Sequence, residues 1–248
     1  MEILAGVSVV VLVLAALTIA IKTLALWRRS RGLPELLLSL MLISATVLGY
    51  PLMIASTLIP PSDLRPVHLA AQLAMAFGYA CLLLFTKRVF RAKSPWATGL
   101  ALVTLAGIVL GSVLYSVELR GEHPRRPAEM IGLTLFNSAT IAVAYFWTML
   151  ESLGYYRQLR LRLRLGLSDV VVTNRVLLWG LMSLAAGFAV VINALALLAG
   201  AFMSAPVVAV SSVLGLAHAG CLFLAFDPPA WYKAWITTGA GAEQHAEA

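Results

Sequence analysis

The run MIGLTLFNSATIAVAYFWTML, Met130 to Leu150, passes without a break into ESLGYYRQLRLRLRLG, Glu151 to Gly166. The first part holds no Asp, Glu, Lys or Arg and matches the roughly 20 apolar residues a helix needs to cross a hydrocarbon core of about 30 Å. The second opens on an acid and fills with arginines, the composition of a helix that leaves hydrocarbon for the headgroup region. Six more stretches share this apolar character: Ile3 to Trp27, Pro34 to Ile59, Val67 to Phe85, Ala97 to Val117, Val176 to Leu198 and Ala205 to Phe226. Hydrophobic residues make up 61% of the chain and charged residues 12%, and mean hydropathy is +0.91, far from the balance of a soluble domain. The expected fold is all-α, a polytopic bundle of seven transmembrane helices forming one domain over 1–238, with a small, polar, disordered tail over 239–248.

Orientation follows from the basic residues in the short connections. Lys22, Arg28, Arg29, Arg31, Lys87, Arg88, Arg91, Lys93, Arg157, Arg160, Arg162, Arg164, Arg175 and Lys233 fall on one side, and Arg65, Arg120, Arg125 and Arg126 on the other, 14 against 4 of the 18. The richer side is expected to be cytoplasmic, with the N-terminus outside and the C-terminus inside. Met1 to Ala20 lacks the basic n-region of a signal peptide and runs apolar too far, so it reads as the first helix, retained. The net charge of +7 is then a product of topology, and its expected counterpart is an anionic inner leaflet, not nucleic acid. The expected location is an integral, multi-pass one in a membrane whose basic-residue side faces the cytoplasm.

Punctuation supports the spans. Gly32 and Pro34 open the second helix, with proline in the first turn where its missing N–H costs nothing. Pro60, Pro61, Ser62 and Asp63 separate the second helix from the third. Trp27 and Trp96 sit at membrane edges, and Pro51 is expected to kink the second span. The fifth helix is expected to continue past the membrane and stop at Gly166, placing Arg157, Arg160 and Arg164 on one face. After the seventh span, Asp227, Pro228 and Pro229 are expected to start a short interfacial helix, with Asp227 as cap and Trp231 and Trp235 on one side. These five arginine and tryptophan side chains are the expected contacts for lipid or for a membrane or cytoplasmic protein partner.

Several chemistries find no carrier. The seventh span has no lysine for a retinal Schiff base, and no Asp, Glu, Lys or Arg stands near the centre of any span to relay protons or ions. His68 lies at the outer end of its helix and His218 near the middle of another, roughly 20 Å deeper at about 1.5 Å per residue, so they cannot share one haem. No HxxxH or HExxH is present, and Cys81 and Cys221 lie apart among apolar neighbours with no CxxC spacing. The reading therefore carries no catalytic residue, metal or cofactor.

Polar groups inside hydrocarbon are costly and tend to face the bundle or a cavity. The fifth span carries Thr134, Asn137, Ser138, Tyr145 and Thr148 along one side, interrupted by Ile141; the third carries His68, Gln72 and Tyr79; the sixth Ser183 and Asn193; the seventh Ser211 and His218. His68, Gln72, Tyr79, Asn137, Ser138, Asn193, Ser211 and His218 are the candidate ligand-binding residues. Of these, His68, Gln72, Asn137, Asn193 and Ser211 belong to the outer half, where they would line a cavity opening outward. The opposing expectation is that they hydrogen-bond neighbouring helices, contacts worth about 0.6 kcal/mol each.

With its external N-terminus, basic extension of helix five and short helix after helix seven, the chain resembles seven-helix receptors and the seven-helix sensor modules of bacterial signalling proteins. The segments LGLSDVVVTNR, Leu165 to Arg175, and DPPAWYKAW, Asp227 to Trp235, are similar to those of bacterial sensor membrane regions. It departs from animal receptors in having Phe85, Thr86, Lys87 and Arg88 where a DRY-like triplet would stand, and Asp227, Pro228 and Pro229 in place of NPxxY. The resemblance implies a sensor or receptor-like protein of a bacterial cytoplasmic membrane that binds a small apolar or amphiphilic ligand, or lipid, and acts through a separate partner. The alternatives are a non-catalytic subunit of a larger membrane complex, for which Gly107 and Gly111 at GxxxG spacing would supply an outer contact face, and a small transporter.

Overall fold

The computed structural model describes residues 2–58, 61–118, 130–202 and 204–246. Pro60 and the loop arginines Arg120, Arg125 and Arg126 lie outside the described residues. Helix α1 covers Glu2–Ser30. The second span is composite: α2 over Leu33–Met41, a π-helical segment over Leu42–Gly49, and α3 over Tyr50–Leu58. Then follow α4 (Pro61–Phe90), α5 (Pro95–Glu118), α6 (Ile131–Arg164), α7 (Val170–Leu198), α8 (Ala205–Phe226) and α9 (Ala230–Ala246). Seven helical spans are long and apolar enough to cross a membrane, which fits an integral multi-pass protein. Among the described residues there is no strand.

The spans close into a ring. Each packs on its neighbours in chain order, α8 returns to α1, and α4 also touches α6 across the middle. Side-chain contacts fix which ends meet. At the basic end Lys22 pairs with Asp227 at 2.6 Å, Arg91 with Glu151 at 2.7 Å, and Arg175 Nε–H donates to the Ala225 carbonyl at 2.9 Å, satisfying one of the orphan acceptors that end α8. At the opposite end the Tyr115 and Thr134 hydroxyls share a hydrogen bond, and Asn193 donates to Ser211 at 3.0 Å. Ile19, Leu42, Leu82, Leu83, Met182 and Leu222 are fully buried in the interior, whereas Val103 is 72% exposed and Leu102 60%. Such an apolar exterior is the expected surface where lipid tails are the solvent, and association must then come from close packing and internal hydrogen bonds.

Three local features depart from the sequence reading. The disturbance at Pro51 is spread upstream: in an α-helix its ring would strike the Val47 carbonyl, and Val47 lies in the π segment, where Tyr50 N–H reaches back five residues to the Ala45 carbonyl. At the other end of the chain, α9 begins at Ala230, after both prolines, with Lys233 N–H closing its first turn on the Pro229 carbonyl at 3.0 Å. Asp227 is not its cap; its carboxylate is taken by Lys22, and its backbone ends α8. Finally, α9 stays helical to Ala246, into the segment expected to be a disordered tail.

The α6 extension ends as its sequence requires. Gly166, at φ 67, donates to the Leu163 carbonyl, and Leu167 N–H reaches the Arg162 carbonyl at 2.8 Å, a Schellman closure that needs the left-handed backbone glycine adopts freely.

Candidate functional site

The polar stripes of α4 and α6 meet. His68, Gln72, Met75, Ala76 and Tyr79 of α4 face Thr134, Asn137, Ser138 and Ile141 of α6 across a cavity of about 200 Å³. Ile108, Ser112 and Tyr115 of α5, Met53 of α3 and Phe202 from the α7–α8 connection complete its wall.

His68 is fully buried and engaged on both ring nitrogens, with Ser56 Oγ 3.3 Å from Nδ1 and Gln72 Nε2 3.4 Å from Nε2. The proton roles follow from the donors available. The Ser56 hydroxyl donates to the Met53 carbonyl at 2.7 Å, so its oxygen accepts from His68 Nδ1–H, and the bare Nε2 accepts from the Gln72 amide. This neutral histidine links α3 to α4, and its ring lies 5.5 Å from that of Tyr115. Gln72 makes no other side-chain hydrogen bond among the described residues, which leaves its carbonyl oxygen and second N–H to the cavity.

Asn137 is the deepest polar group of α6 in the wall, 8% exposed, and its amide makes no side-chain hydrogen bond among the described residues. Its position depends on α5. A Cβ on Gly111 would overlap Asn137 Oδ1, so only glycine there lets the amide lie flat against the neighbouring helix. Gly107, one turn away, meets Thr140 in the same manner. The Gly107 and Gly111 pair is thus spent inside the bundle, against α6, and offers no outer contact face.

Below the cavity, toward the basic end, the α4–α6 seam continues as a column of paired contacts. Tyr79 and Tyr145 meet edge to face with centroids 5.8 Å apart. Thr86 donates to Thr148 at 2.8 Å, because the Thr148 proton already goes to the Ala144 carbonyl. Last comes Glu151, 9% exposed, which accepts from Arg91 Nε at 2.7 Å and from Trp147 Nε1 at 3.2 Å. The Arg91 guanidinium also stands over the Trp96 ring.

The structure thus brings His68, Gln72, Tyr79, Asn137 and Ser138 together and leaves the other three candidates elsewhere. Asn193 donates to Ser211 and to the Ala189 carbonyl, tying α7 to α8. His218 Nδ1 lies 3.2 Å from the Met182 carbonyl and must donate to it, another α7–α8 tie. Sequence reasoning missed Ser112 and Tyr115, although Ile108, Ser112 and Tyr115 stand at the i, i+4, i+7 spacing of one helix face. Nothing in the sequence marks Met53 or Phe202, which come from other parts of the chain.

At the basic end Arg157, Arg160 and Arg164 are exposed on the α6 extension, interleaved with the exposed Leu161 and Leu165. Trp231 and Trp235 are each 68% exposed on one side of α9, while Tyr232 turns inward, accepting from Asn174 at 2.9 Å and packing on Leu178 and Ala225. The helix is therefore held against α7 through Tyr232, with Ile236 packed in the same cluster, and presents its indoles outward. Cys81 and Cys221 are free thiols, and no group of His, Cys, Asp or Glu side chains among the described residues is arranged to hold a metal ion.

No family model matches this chain, and no curated protein or solved structure matches it either.

Proposed function

We propose that this protein is a seven-helix, receptor-like membrane sensor that takes a small apolar or amphiphilic molecule into the cavity between α3, α4, α5 and α6 and acts through a separate partner at its basic, cytoplasmic end. The observation that carries the reading is the cavity itself. It gathers hydrogen-bonding groups from three helices, leaves the Asn137 amide without a side-chain hydrogen bond among the described residues, and is walled in part by the same helix that extends as the arginine-bearing rod. The Asn137 amide keeps accessible surface on the cavity, so a polar group of a bound molecule can reach and bond it. The seam of Tyr79, Thr86 and Arg91 contacts gives α4 and α6 a continuous route from cavity to basic end. The reading as a subunit of a larger complex is weakened because its best candidate contact, Gly107 and Gly111, faces inward.

Purification from the native membrane after mild crosslinking tests the proposal. A small molecule should be retained by the protein and depleted in Ile141→Trp, which fills the cavity, and a protein partner should be lost from the Arg157→Glu, Arg160→Glu double variant. Retention of a partner by the reversed variant, with no small molecule bound to either form, would instead point to the subunit reading.

A further inference from the structure

Among the described residues the cavity wall is polar without being charged. Gln72, Asn137, Ser138, Ser112, Tyr115 and Thr134 place amide and hydroxyl groups there, His68 is engaged as the neutral imidazole, and among the described residues no Asp, Glu, Lys or Arg lines it. The nearest described ion pair on the two facing helices, Arg91 with Glu151, stands beyond Tyr79 and Thr86, roughly 18 Å from Tyr79 at about 1.5 Å per residue along α4, and its charges answer each other. An ionised ligand would leave water or headgroups for a wall whose described residues offer it no counter-charge, and an uncompensated charge in hydrocarbon is expensive. A hydroxyl, ketone or amide faces no such penalty. Asn137 offers both a donor and an acceptor within one amide, and Gln72 retains the same pair, so a single neutral group that donates and accepts can be met on both counts.

Size narrows the class further. A cavity of about 150 Å³ admits benzene, so the about 200 Å³ here takes a molecule of on the order of ten non-hydrogen atoms, below the usual span of drug-sized sites. The remaining wall, Met53, Met75, Ala76, Ile108, Ile141 and Phe202, is apolar, and thioether side chains adapt to varied shapes.

Resting on the reading of this cavity as a ligand site, we infer that it selects neutral medium-chain amphiphiles, of the alcohol, ketone or amide class, against their ionised counterparts, with Asn137 as the group that recognises the polar head. Gly111 is the residue that positions that amide, since any side chain there displaces it.

The probes are a diazirine-bearing octanol and the matching octanoate, applied to the full chain in lipid nanodiscs at a pH where the acid is ionised. Labelling is mapped by mass spectrometry at Met53, Met75 and Phe202. Because the alcohol enters the bilayer more readily, each signal is normalised to labelling at the outward-facing Leu102 and Val103. The alcohol should label the cavity residues at least about tenfold more than the carboxylate after normalisation, unlabelled octan-1-ol should compete it away, and Asn137→Leu should narrow the ratio while keeping the lipid-facing signal. Equal or greater labelling by octanoate would overturn the selectivity and leave the ligand site standing. Cavity labelling no higher than at Leu102 and Val103, and untouched by competition, would remove the site together with the selectivity. The competition arm needs no variant, so a misfolded substitution cannot mask either result.

Discussion

Arg91 and Glu151 hold their ends of α4 and α6 unequally. The arginine side chain is 48% exposed and keeps water when its partner is lost, whereas the glutamate is 9% exposed and would be left with only the Trp147 indole. Removing the exposed partner of a buried charge costs more than neutralising the charge itself. Arg91→Ala is therefore expected to destabilise by about 1–3 kcal/mol, discounted for the solvent already at the arginine. Glu151→Gln, whose amide oxygen still accepts from Trp147, should cost under about 1 kcal/mol. Thermal unfolding of the two variants in mild detergent decides it, and the reverse order would mean that the carboxylate is better solvated than its burial indicates. The same scale shows why periodicity revealed only part of the site. Asn137 and Asn193 both read as polar groups in an apolar span, yet one faces a glycine and a cavity while the other is satisfied by Ser211 and its own helix. The difference lies in what the neighbouring helix presents, which spacing along one helix does not encode.

At the scale of elements, the second span is where the structure adds most. LISATVLG has nothing in its composition to mark a π helix, and only Pro51 downstream signals a disturbance. The widened turn packs on α4 so closely that a Cβ on Gly78 would meet the Ala45 backbone nitrogen at 2.8 Å and Cα at 3.0 Å. Backbone cannot move aside as a side-chain tip can. Gly78→Ala is expected to cost about 1–3 kcal/mol by overpacking, with Tyr79 and the cavity wall disturbed because they share the turn. Gly99→Ala, on α5 with nothing within 4 Å of its Cβ, should be neutral or slightly stabilising through helix propensity. Denaturant unfolding of the pair in mixed micelles separates the two expectations, and equal stability would show that α4 and the π segment part without cost. By contrast, the end of α6 was legible to the residue: the arginine-rich run, the halt at Gly166 and the left-handed closure all follow from local chemistry. The helical course of α9 to Ala246 was hidden by its glycines, which weigh against a helix even though AEQHA favours one.

On the scale of the whole molecule, the apolar spans and their alternating direction were readable because bilayer thickness fixes the length of each and charge separates their ends. The closing contact of α8 on α1 and the crossing of α4 to α6 were not, since each joins segments far apart in the chain. Direction relative to the cell rests on the 14 against 4 division of Lys and Arg among the 18. Each basic residue near an anionic inner surface is worth about 1 kcal/mol, so inverting the bundle would forfeit on the order of ten such interactions on one side and recover only the few on the other. The described ion pairs at the basic end, Lys22 with Asp227 and Arg91 with Glu151, survive inversion intact and do not offset that difference. Tags at the C-terminus and in the turn Lys87 to Lys93 should accordingly be reached only after the membrane is opened to the cytoplasmic side, and tags between Glu118 and Glu129 should be reached in intact cells. Protease cleavage in the Lys87 to Lys93 turn of intact cells, with protection of the segment between Glu118 and Glu129, would reverse the orientation and move the cavity mouth to the cytoplasmic half. In that case the arginines of the α6 extension would meet the outer surface, and a partner there would have to be extracellular.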